Sequence, residues 1–425
     1  MDELIVLSVL KSIVAIVLVF VVSIVIHEYG HYIVAKKSGV AVPAFAIGFG
    51  PKLVRWFRNG TEFSVRLFLI GGMVQLAGEL PQDALFRKGE ELAVVIDEDG
   101  RIIAVGEPSD LPNGQVATLK DLDLMHRMEM TLVTADGVVT YPVKPHAKLM
   151  TSARNSMPIV EPHEQVLGKP LWQRAAVILA GPFMNFLLAG VLFTLINMHN
   201  GIGLNTPTLG QIVPGSAAAQ AGLMQGDRVE SVNGRPVSSW IQLVQVIQAD
   251  KGNPPPPLAI VVDRQGATKT IVVKPRLVTY AGQHIPQVGV MEPVTKNPVR
   301  AVSSGFSAVY TDTVQTLHLY GQVVAHHQYQ DLSGPVGIAD VISQQAQSGV
   351  WQVVMITALL SLNLGLFNLL PIPALDGGRL LFMLVEMVRG KALDPRREGL
   401  VHFVGFALLM LFAVVITVRD VTRLF

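Results

Sequence analysis

The stretch Ile26-His27-Glu28-Tyr29-Gly30-His31 reads HExxH and lies inside an apolar run, residues 4–34. Residues four apart share one face of a helix, so both histidines can point an imidazole nitrogen at one metal ion. Glu28 lies beside them, placed to take a proton from a water molecule at the metal. Histidine and glutamate are costly to insert into a membrane and are rarely kept there without a function. The stretch therefore predicts a zinc hydrolase site within a membrane-spanning helix.

The composition supports a membrane protein. Of the 425 residues, 50% are hydrophobic and only 15% are charged, which places the chain on the apolar side of ordinary proteins. A net charge of +1, without clusters of basic residues among aromatics, gives no sign of a nucleic-acid partner. The chain has no cysteine, so it has no thiolate ligands and no disulfides. Any metal site must use histidines and carboxylates.

Four apolar runs are long enough to cross a bilayer core of roughly 30 Å. They are residues 4–34, 175–198, 350–370 and 401–418. The first run predicts a retained span and not a signal peptide, because Met1-Asp2-Glu3 is not basic and no small-residue cleavage site follows.

Lysines and arginines predict the orientation of these spans. They follow the first run, precede the second and separate the third from the fourth, at Lys36, Lys37, Lys52, Arg55, Arg58, Lys169, Arg174, Arg379, Arg389, Lys391, Arg396 and Arg397. These segments should be cytoplasmic, and the segment between the second and third spans should be outside. Arg419 and Arg423 near the C-terminus oppose this topology. The HExxH sequence then lies toward the cytoplasmic end of the first span.

Residues 63–76 predict a membrane-associated β-hairpin after the first span, with Gly71-Gly72 as its turn, and Gly48-Phe49-Gly50-Pro51 predicts a separate turn before it. An unpaired edge strand beside the metal would hold a substrate extended by its backbone. The candidate substrate contacts are Val65, Leu67, Leu69, Gly71 and Gly72. The alternative is an ordinary structural hairpin at the membrane surface, and the sequence favours neither.

Residues 81–170 are more polar, with turn signals between short apolar runs, and they predict a small β-rich cytoplasmic insert. Its histidines, His126, His146 and His163, lack ligand spacing and are expected at the surface. In the second span, Gly181-Pro182 predicts a bend. Asn185 either faces the HExxH helix or packs helices together.

Beyond the second span, the sequence contains Pro214-Gly215-Ser216-Ala217-Ala218, then Gly226-Asp227 and Val232-Asn233-Gly234. These signatures resemble a PDZ domain of the bacterial type over residues 207–291. PDZ domains bind extended peptides at a groove and often capture a terminal carboxylate. Val288, Gly289 and Val290 lie where such domains place their carboxylate loop. The amphipathic region that follows, residues 294–349, carries His318, His326 and His327, which the predicted topology places outside, away from the HExxH end.

A second informative stretch ends the third span. Asn368-Leu369-Leu370-Pro371-Ile372-Pro373-Ala374-Leu375-Asp376-Gly377 reads NxxPxPxLDG. Its prolines break the helix near the inner membrane surface, and Asp376 can supply a third metal ligand at the depth of the HExxH sequence.

The HExxH and NxxPxPxLDG sequences on one multi-span chain resemble the site-2 protease family of intramembrane zinc metalloproteases. The resemblance extends through the GFGP sequence at residues 48–51, Gly181-Pro182 with Asn185, the PDZ-like region and the SGPVG sequence at residues 333–337. One PDZ-like region and a preceding insert match the layout of Gram-positive members, whereas proteobacterial members carry two PDZ domains in tandem.

The resemblance implies Zn²⁺ held by His27, His31 and Asp376, with Glu28 as general base and Asn363 and Asn368 contacting the substrate backbone. It implies substrates that are single-pass membrane proteins, such as anti-sigma factors already cut outside by an upstream site-1 protease, and remnant signal peptides. It also implies a multi-pass protein of the cytoplasmic membrane, in contact with the lipid bilayer, whose PDZ domain lies outside as a substrate filter.

The predicted fold is a polytopic α-helical membrane protein with four transmembrane helices, a β-hairpin, a β-rich cytoplasmic insert and one extracytoplasmic PDZ domain. The predicted divisions are residues 1–36, 37–80, 81–170, 171–199, 206–293, 294–349, 350–380 and 400–419. Two alternatives remain. A gluzincin-type membrane protease would need glutamate as its third ligand, and a non-enzymatic PDZ scaffold or metal transporter would bind metal without hydrolysis.

Overall fold

The structure is a computed structural model that describes residues 2–79, 86–124, 127–135, 137–152, 155–249, 252, 254–280, 283–326, 333–391 and 393–424. His126 and His327, two of the histidines that are not predicted to be metal ligands, lie outside these residues. The chain divides into two units, residues 193–307 and the remainder, 1–192 with 308–425.

The helices follow the predicted spans closely. In chain order they are α1 (Asp2–Lys37), α2 (Leu171–Asn200), α3 (Ala217–Ala221), α4 (Trp240–Ala249), α5 (Pro298–Ala325), α6 (Pro335–Ser348), α7 (Val350–Asn368), α8 (Asp376–Arg389) and α9 (Pro395–Leu424). Within the described residues, four helices are long and apolar enough to cross a membrane: α1, α2, α7 and α9. The four predicted spans are thus confirmed as apolar helices of sufficient length.

The third predicted span ends close to the prolines that were expected to break its helix. Residues 350–380 do not form one helix, because α7 ends at Asn368 and a loop of residues 369–375 follows. Pro371 and Pro373 in this loop have no N–H to continue the helix. Asp376 therefore opens a separate helix, α8, whose first residue it is.

The hairpin after α1 consists of β1 (Ala44–Arg58) and β2 (Thr61–Gln75). Its turn is Asn59-Gly60, with φ of 49° and 74°, so the turn predicted at Gly71-Gly72 is wrong. Asn-Gly is the two-residue pair best suited to a turn with two positive φ angles. Gly71 and Gly72 instead lie inside β2, and the turn predicted at Gly48–Pro51 lies inside β1. Those glycines mark close packing: a Cβ on Gly72 would lie 2.7 Å from Glu28 Cγ.

Both hairpin strands bend, so that residues 44–47 pair twice. On one side they pair antiparallel with residues 72–75, from Ala44 with Gln75 to Ile47 with Gly72. On the other side they pair with residues 62–65, from Ala44 with Glu62 to Ile47 with Val65. Val65 therefore lies between Ile47 and Val54, so it has no free strand edge with which to pair a substrate backbone, and its contact with substrate stays a prediction. Among the described residues, the segment 72–75 has a strand partner on one side only.

The insert is rich in strands, as predicted. It comprises β3 (Glu91–Ile96), β4 (Ile102–Gly106), β5 (Gln115–Asp123), β6 (Glu129–Thr134), β7 (Gly137–Ser152) and β8 (Asn155–Ile159). The sheet order is β4-β3-β5-β6-β7-β8, and a further β4–β7 pairing closes it around an apolar core that includes Ile102, Leu119 and Leu132. Strands therefore form a larger part of the molecule than a helical membrane fold alone would have.

The unit of residues 193–307 has its own core. Its strands are β9 (Ile202–Gly203), β10 (Arg228–Val232), β11 (Arg235–Pro236), β12 (Leu258–Arg264), β13 (Ala267–Val273), β14 (Arg276–Tyr280), β15 (Gln283–Gln287) and β16 (Val294–Thr295). A sheet in the order β11-β10-β12-β13 packs with α3 and α4 around Leu243, Ile260 and Val262. Its identity as a PDZ domain stays a prediction.

The amphipathic region predicted at residues 294–349 forms α5 and α6. Helix α6 packs on the N-terminal half of α1, where Ile342 and Ala346 meet Ala15 and Val19 in a buried cluster. Ser343 Oγ donates to Ser12 Oγ at 2.8 Å across the same contact. The hydrophobic face of α6 is thus used against the first predicted span.

Candidate metal centre

Three predicted ligands meet at the C-terminal half of α1. His27 and His31 lie one turn apart on α1, and Asp376 approaches from the start of α8. The two Nε2 atoms are 3.2 Å apart, and Asp376 Oδ2 lies 3.2 Å from His27 Nε2 and 3.4 Å from His31 Nε2. Among the described residues, this is the group of histidine and acidic side chains found close enough to hold a metal ion.

The spacing of these three atoms fits zinc. Tetrahedral coordination with bonds of about 2.0–2.2 Å separates neighbouring ligand atoms by roughly 3.3–3.6 Å. The observed triangle of 3.2–3.4 Å is close to that size. Two imidazole nitrogens and one carboxylate oxygen are a donor set that zinc accepts in hydrolases, and three protein ligands leave one position free. The residues present therefore fit the ion.

Neighbouring groups hold both imidazoles in the form that a metal requires. His31 Nδ1 lies 2.8 Å from the carbonyl oxygen of Val177 on α2. Because a carbonyl only accepts, Nδ1 carries the proton and Nε2 presents its lone pair. His27 Nδ1 lies 3.4 Å from the amide of the buried Asn185. The oxygen and nitrogen of that amide are interchangeable by a flip, so its oxygen can accept the His27 proton. Asn185 thus faces the HExxH helix.

Helix α2 comes within contact distance of these imidazoles because Gly181 has no side chain there. A Cβ at Gly181 would overlap the His31 ring, and a Cβ at Gly30 of α1 would overlap the Ala180 carbonyl. Each glycine therefore permits backbone to approach within contact distance of the other helix. Sequence reasoning missed this role of Gly181. The available signal was that a glycine directly precedes Pro182 inside an apolar helix.

Glu28 lies between α1 and the hairpin. The backbone N–H of Val74 donates to its carboxylate, and Gly72 leaves room for its side chain. The segment 72–75, whose second edge is without a strand partner among the described residues, therefore passes directly beside the proposed base. Of the predicted hairpin contacts, Gly72 lies at this place and Gly71 precedes it. Leu67 and Leu69 lie farther along β2, with Leu67 exposed.

Asn363 and Asn368 bond to their own helix. Asn363 Nδ2 donates to Leu359 O at 2.9 Å, and Asn368 Nδ2 donates to Leu364 O at 3.0 Å. Asn363 Oδ1 also accepts a hydrogen bond of 3.2 Å from the Tyr320 hydroxyl of α5. Sequence reasoning did not single out Tyr320.

The candidate PDZ groove lies in the other unit. Val288, Gly289 and Val290 help to line a cavity of about 290 Å³ beside α4. The carbonyl of Val288 accepts from the N–H of Ala218, and that of Gly289 from the N–H of Val213. Of the histidines set aside, His146 and His163 are exposed and lie near Glu164 and Glu161, as expected for surface residues.

Comparisons with known proteins find relatives over nearly the whole chain. The family model "Peptidase family M50" matches residues 15–412. "Zinc metalloprotease RasP" of Geobacillus kaustophilus is 38% identical over 420 residues, 98% of this chain and 99% of that protein. "Regulator of sigma-W protease RasP" of Bacillus subtilis is 34% identical over 423 residues, 98% and 99% of the two chains. "Probable protease eep" of Enterococcus faecalis is 32% identical over 424 residues, 98% and 100% of the two chains.

Proposed function

Because the chain belongs to peptidase family M50, we propose that His27, His31 and Asp376 hold its zinc ion and that Glu28 is its general base. The protein is a zinc metalloprotease of the membrane, of the kind that acts in regulated intramembrane proteolysis. The triangle of three ligand atoms, 3.2–3.4 Å on each side, is the observation that carries the assignment. A glutamate third ligand, as in the gluzincin alternative, is not needed because Asp376 occupies that place.

Glu28 does the proton transfer in this scheme. Bound zinc supplies a Lewis acid that polarises the scissile carbonyl and makes water more acidic. The Glu28 carboxylate takes a proton from the attacking water while the water oxygen forms a bond to the carbonyl carbon. It then returns this proton to the amide nitrogen as the carbon–nitrogen bond breaks. The Val74 N–H of β2 donates to this carboxylate and orients it.

The segment 72–75 is proposed to present the substrate. An extended chain paired to its free edge would lie along Glu28, because Gly72 and Val74 both touch that side chain. A transmembrane helix shields its own peptide bonds, so it must unwind before it can pair in this way. Asn363 and Asn368 are proposed to compete for the released backbone groups. For Asn363 this requires the Tyr320 hydroxyl to leave.

The proposed substrates are single-pass membrane proteins. One relative is named a regulator of sigma-W protease, which supports anti-sigma factors as substrates. Prior shortening of these substrates by a site-1 protease, and remnant signal peptides as further substrates, are proposed from the family resemblance alone. The distribution of lysines and arginines supports a cytoplasmic-membrane protein with residues 206–293 outside and the metal toward the cytoplasm.

Glu28→Gln tests the base directly. We expect this variant to keep zinc and fold but to lose cleavage of a single-pass helix in proteoliposomes, because an amide does not accept the water proton. Wild-type activity should disappear with a chelator and return with zinc. The matched control is Glu3→Gln, near the other end of α1, which should cleave normally. Turnover of Glu28→Gln within tenfold of wild type would assign the proton transfer to another group.

A further inference from the structure

The loop that precedes Asp376 is held by a side chain from α9. The backbone N–H of Ala374 donates to Nδ1 of His402 at 2.8 Å. Because Nδ1 accepts this hydrogen bond, the imidazole is neutral and carries its proton on Nε2. His402 also packs edge-to-face on Phe382 of α8, with ring centroids 5.4 Å apart. It therefore touches the chain on both sides of the proposed ligand Asp376.

Ala374 has a backbone conformation that alanine does not favour. Its φ is +81°, in the left-handed region where the Cβ of an L-residue crowds its own backbone. Leu375 follows at the N-cap position of α8, and a leucine side chain has no oxygen with which to cap the helix. The N–H of Leu375 donates to the carbonyl of Ile372 at 3.2 Å and closes a turn around Pro373 and Ala374, and contacts from α9 add to this single turn bond.

Helix α9 contacts this loop at a second residue, Gly405. Gly405 lies three residues after His402, on the same face of the helix. A Cβ at Gly405 would lie 2.7 Å from the carbonyl oxygen of Pro373, so α9 and the loop are in direct contact there. The fourth predicted span therefore supports the Asp376 loop at two consecutive points.

We propose that His402 is a positioning residue for the zinc ligand Asp376. Its Nδ1 holds Ala374 in the left-handed conformation, and this keeps Asp376 Oδ2 in the triangle with the two histidine Nε2 atoms. The inference rests on the proposed function, since it takes Asp376 as a zinc ligand. His402 itself touches neither the substrate nor the metal in this assignment.

Zinc affinity of the purified full-length protein, measured by competition with a fluorescent chelator, tests the proposal. We expect His402→Ala to weaken zinc binding on the order of 10-fold, as is usual when a group that orients a metal ligand is lost. His402→Asn should bind nearly as wild type, because the asparagine Oδ1 replaces the Nδ1 acceptor. Phe403→Ala, at a neighbouring α9 position that is 68% exposed, is the matched control and should bind normally.

A second substitution separates the hydrogen bond from general packing. In the double variant His402→Ala/Ala374→Gly, glycine adopts the left-handed conformation without strain, so most of the lost zinc affinity should return. In cleavage assays at saturating zinc, His402→Ala should lower kcat more than it raises KM, because the loop positions the metal ligand and does not bind substrate.

The outcomes distinguish this inference from the function on which it rests. Zinc affinity of His402→Ala within twofold of wild type, while Asp376→Asn binds weakly, would overturn the role of His402 alone. Equal losses in His402→Ala, His402→Asn and the double variant would also overturn it, because ring packing and not the hydrogen bond would then matter. Wild-type zinc binding by Asp376→Asn would overturn the ligand assignment and this inference together.

Discussion

His27 and His31 are 7% and 8% exposed, and the partly buried carboxylate of Asp376 lies opposite them. Three lone-pair donors that converge in a buried place repel one another unless a cation or shared protons lie between them. A zinc ion satisfies all three at once, while the Val177 carbonyl and the Asn185 amide engage the outer nitrogens. Each imidazole is therefore held at Nδ1 by a neighbouring group and presents Nε2 to the metal.

Removal of one ligand should release the metal. We expect about one zinc per wild-type chain by elemental analysis, and a sharp fall in His31→Ala and Asp376→Asn, because two ligands hold zinc much less firmly than three. His146→Ala, an exposed histidine of the insert, is the control and should keep its zinc. Stoichiometric zinc in the double variant His27→Ala/His31→Ala would contradict the assignment.

At the scale of elements, the contact between α1 and α2 sets the position of the imidazoles. Pro182 lies inside α2, and the residue before it is the glycine that makes room for His31. The backbone of α2 is thus itself a part of the metal centre. Any side chain added at this point must push the His31 ring or the helix away.

Gly181→Ala should therefore damage the site although alanine favours helices. We expect a loss of zinc affinity and of cleavage by tenfold or more, with α-helical circular dichroism unchanged. Gly321→Ala on α5 is the matched control, because a Cβ there meets nothing within 4 Å among the described residues. It should be neutral or stabilise by up to about 1 kcal/mol. Normal zinc binding by Gly181→Ala would show that α2 can yield at this contact.

In the unit of residues 193–307, an ion pair joins β12 to the turn before β10. Both Asp227 carboxylate oxygens accept from Arg264 at 2.7 Å, and Oδ2 also accepts from the Met224 N–H. Burial alone would raise the pKa of the Asp227 carboxyl. The hydrogen bonds from Arg264 and Met224 outweigh it and hold this pKa below its ordinary value.

The sign of this shift predicts a pH dependence. A lowered pKa stabilises the folded unit above the unfolded-state value of about 4, and this stabilisation is lost as pH falls through the folded-state pKa. Asp227→Asn should destabilise the folded unit by about 1–3 kcal/mol near neutral pH, and its difference from wild type should shrink below about pH 4. Hydrogen exchange of residues 193–307 in the full chain measures both. Glu230→Gln, exposed on β10, is the control, and a gap that persists at low pH would contradict the charge-based account.

At the scale of the whole molecule, the proposed topology separates the PDZ-like region from the metal. That topology, which we propose from the distribution of basic residues, has residues 206–293 outside and the HExxH end inside. On that topology the region acts on the admission of substrates and not on the chemistry. It is either a filter against substrates with large outer domains or a docking site for a newly cut C-terminus.

Replacement of residues 206–293 by a flexible linker distinguishes these roles. If the region is a filter, its removal should allow cleavage of a substrate that keeps its outer domain, and cleavage of the shortened substrate should be unchanged. As a docking site, its removal should slow cleavage of the shortened substrate only. We expect the first result. Both substrates are to be measured with both enzymes in proteoliposomes, and an unchanged pattern for both would exclude a role in substrate selection.

The sequence by itself determined the chemistry and the spans. The four-residue spacing of His27 and His31 follows from helix geometry alone, and the absence of cysteine left carboxylates as the other ligands. Apolar runs of sufficient length predicted α1, α2, α7 and α9, because a bilayer needs about 20 such residues. Asp376 was found because the two prolines before it end α7, which is again a local property.

The tertiary structure alone decided which distant residues complete these elements. Gly71 and Gly72 have the composition of a turn, yet Asn59-Gly60 turns the hairpin and Gly72 makes room for Glu28, which is 44 positions earlier in the chain. The contacts of Val177 and Asn185 with the imidazoles span more than 140 residues. No periodicity carries such information, because these contacts depend on how closely separate helices approach. The hydrogen bond from Ala374 to His402 was invisible for the same reason.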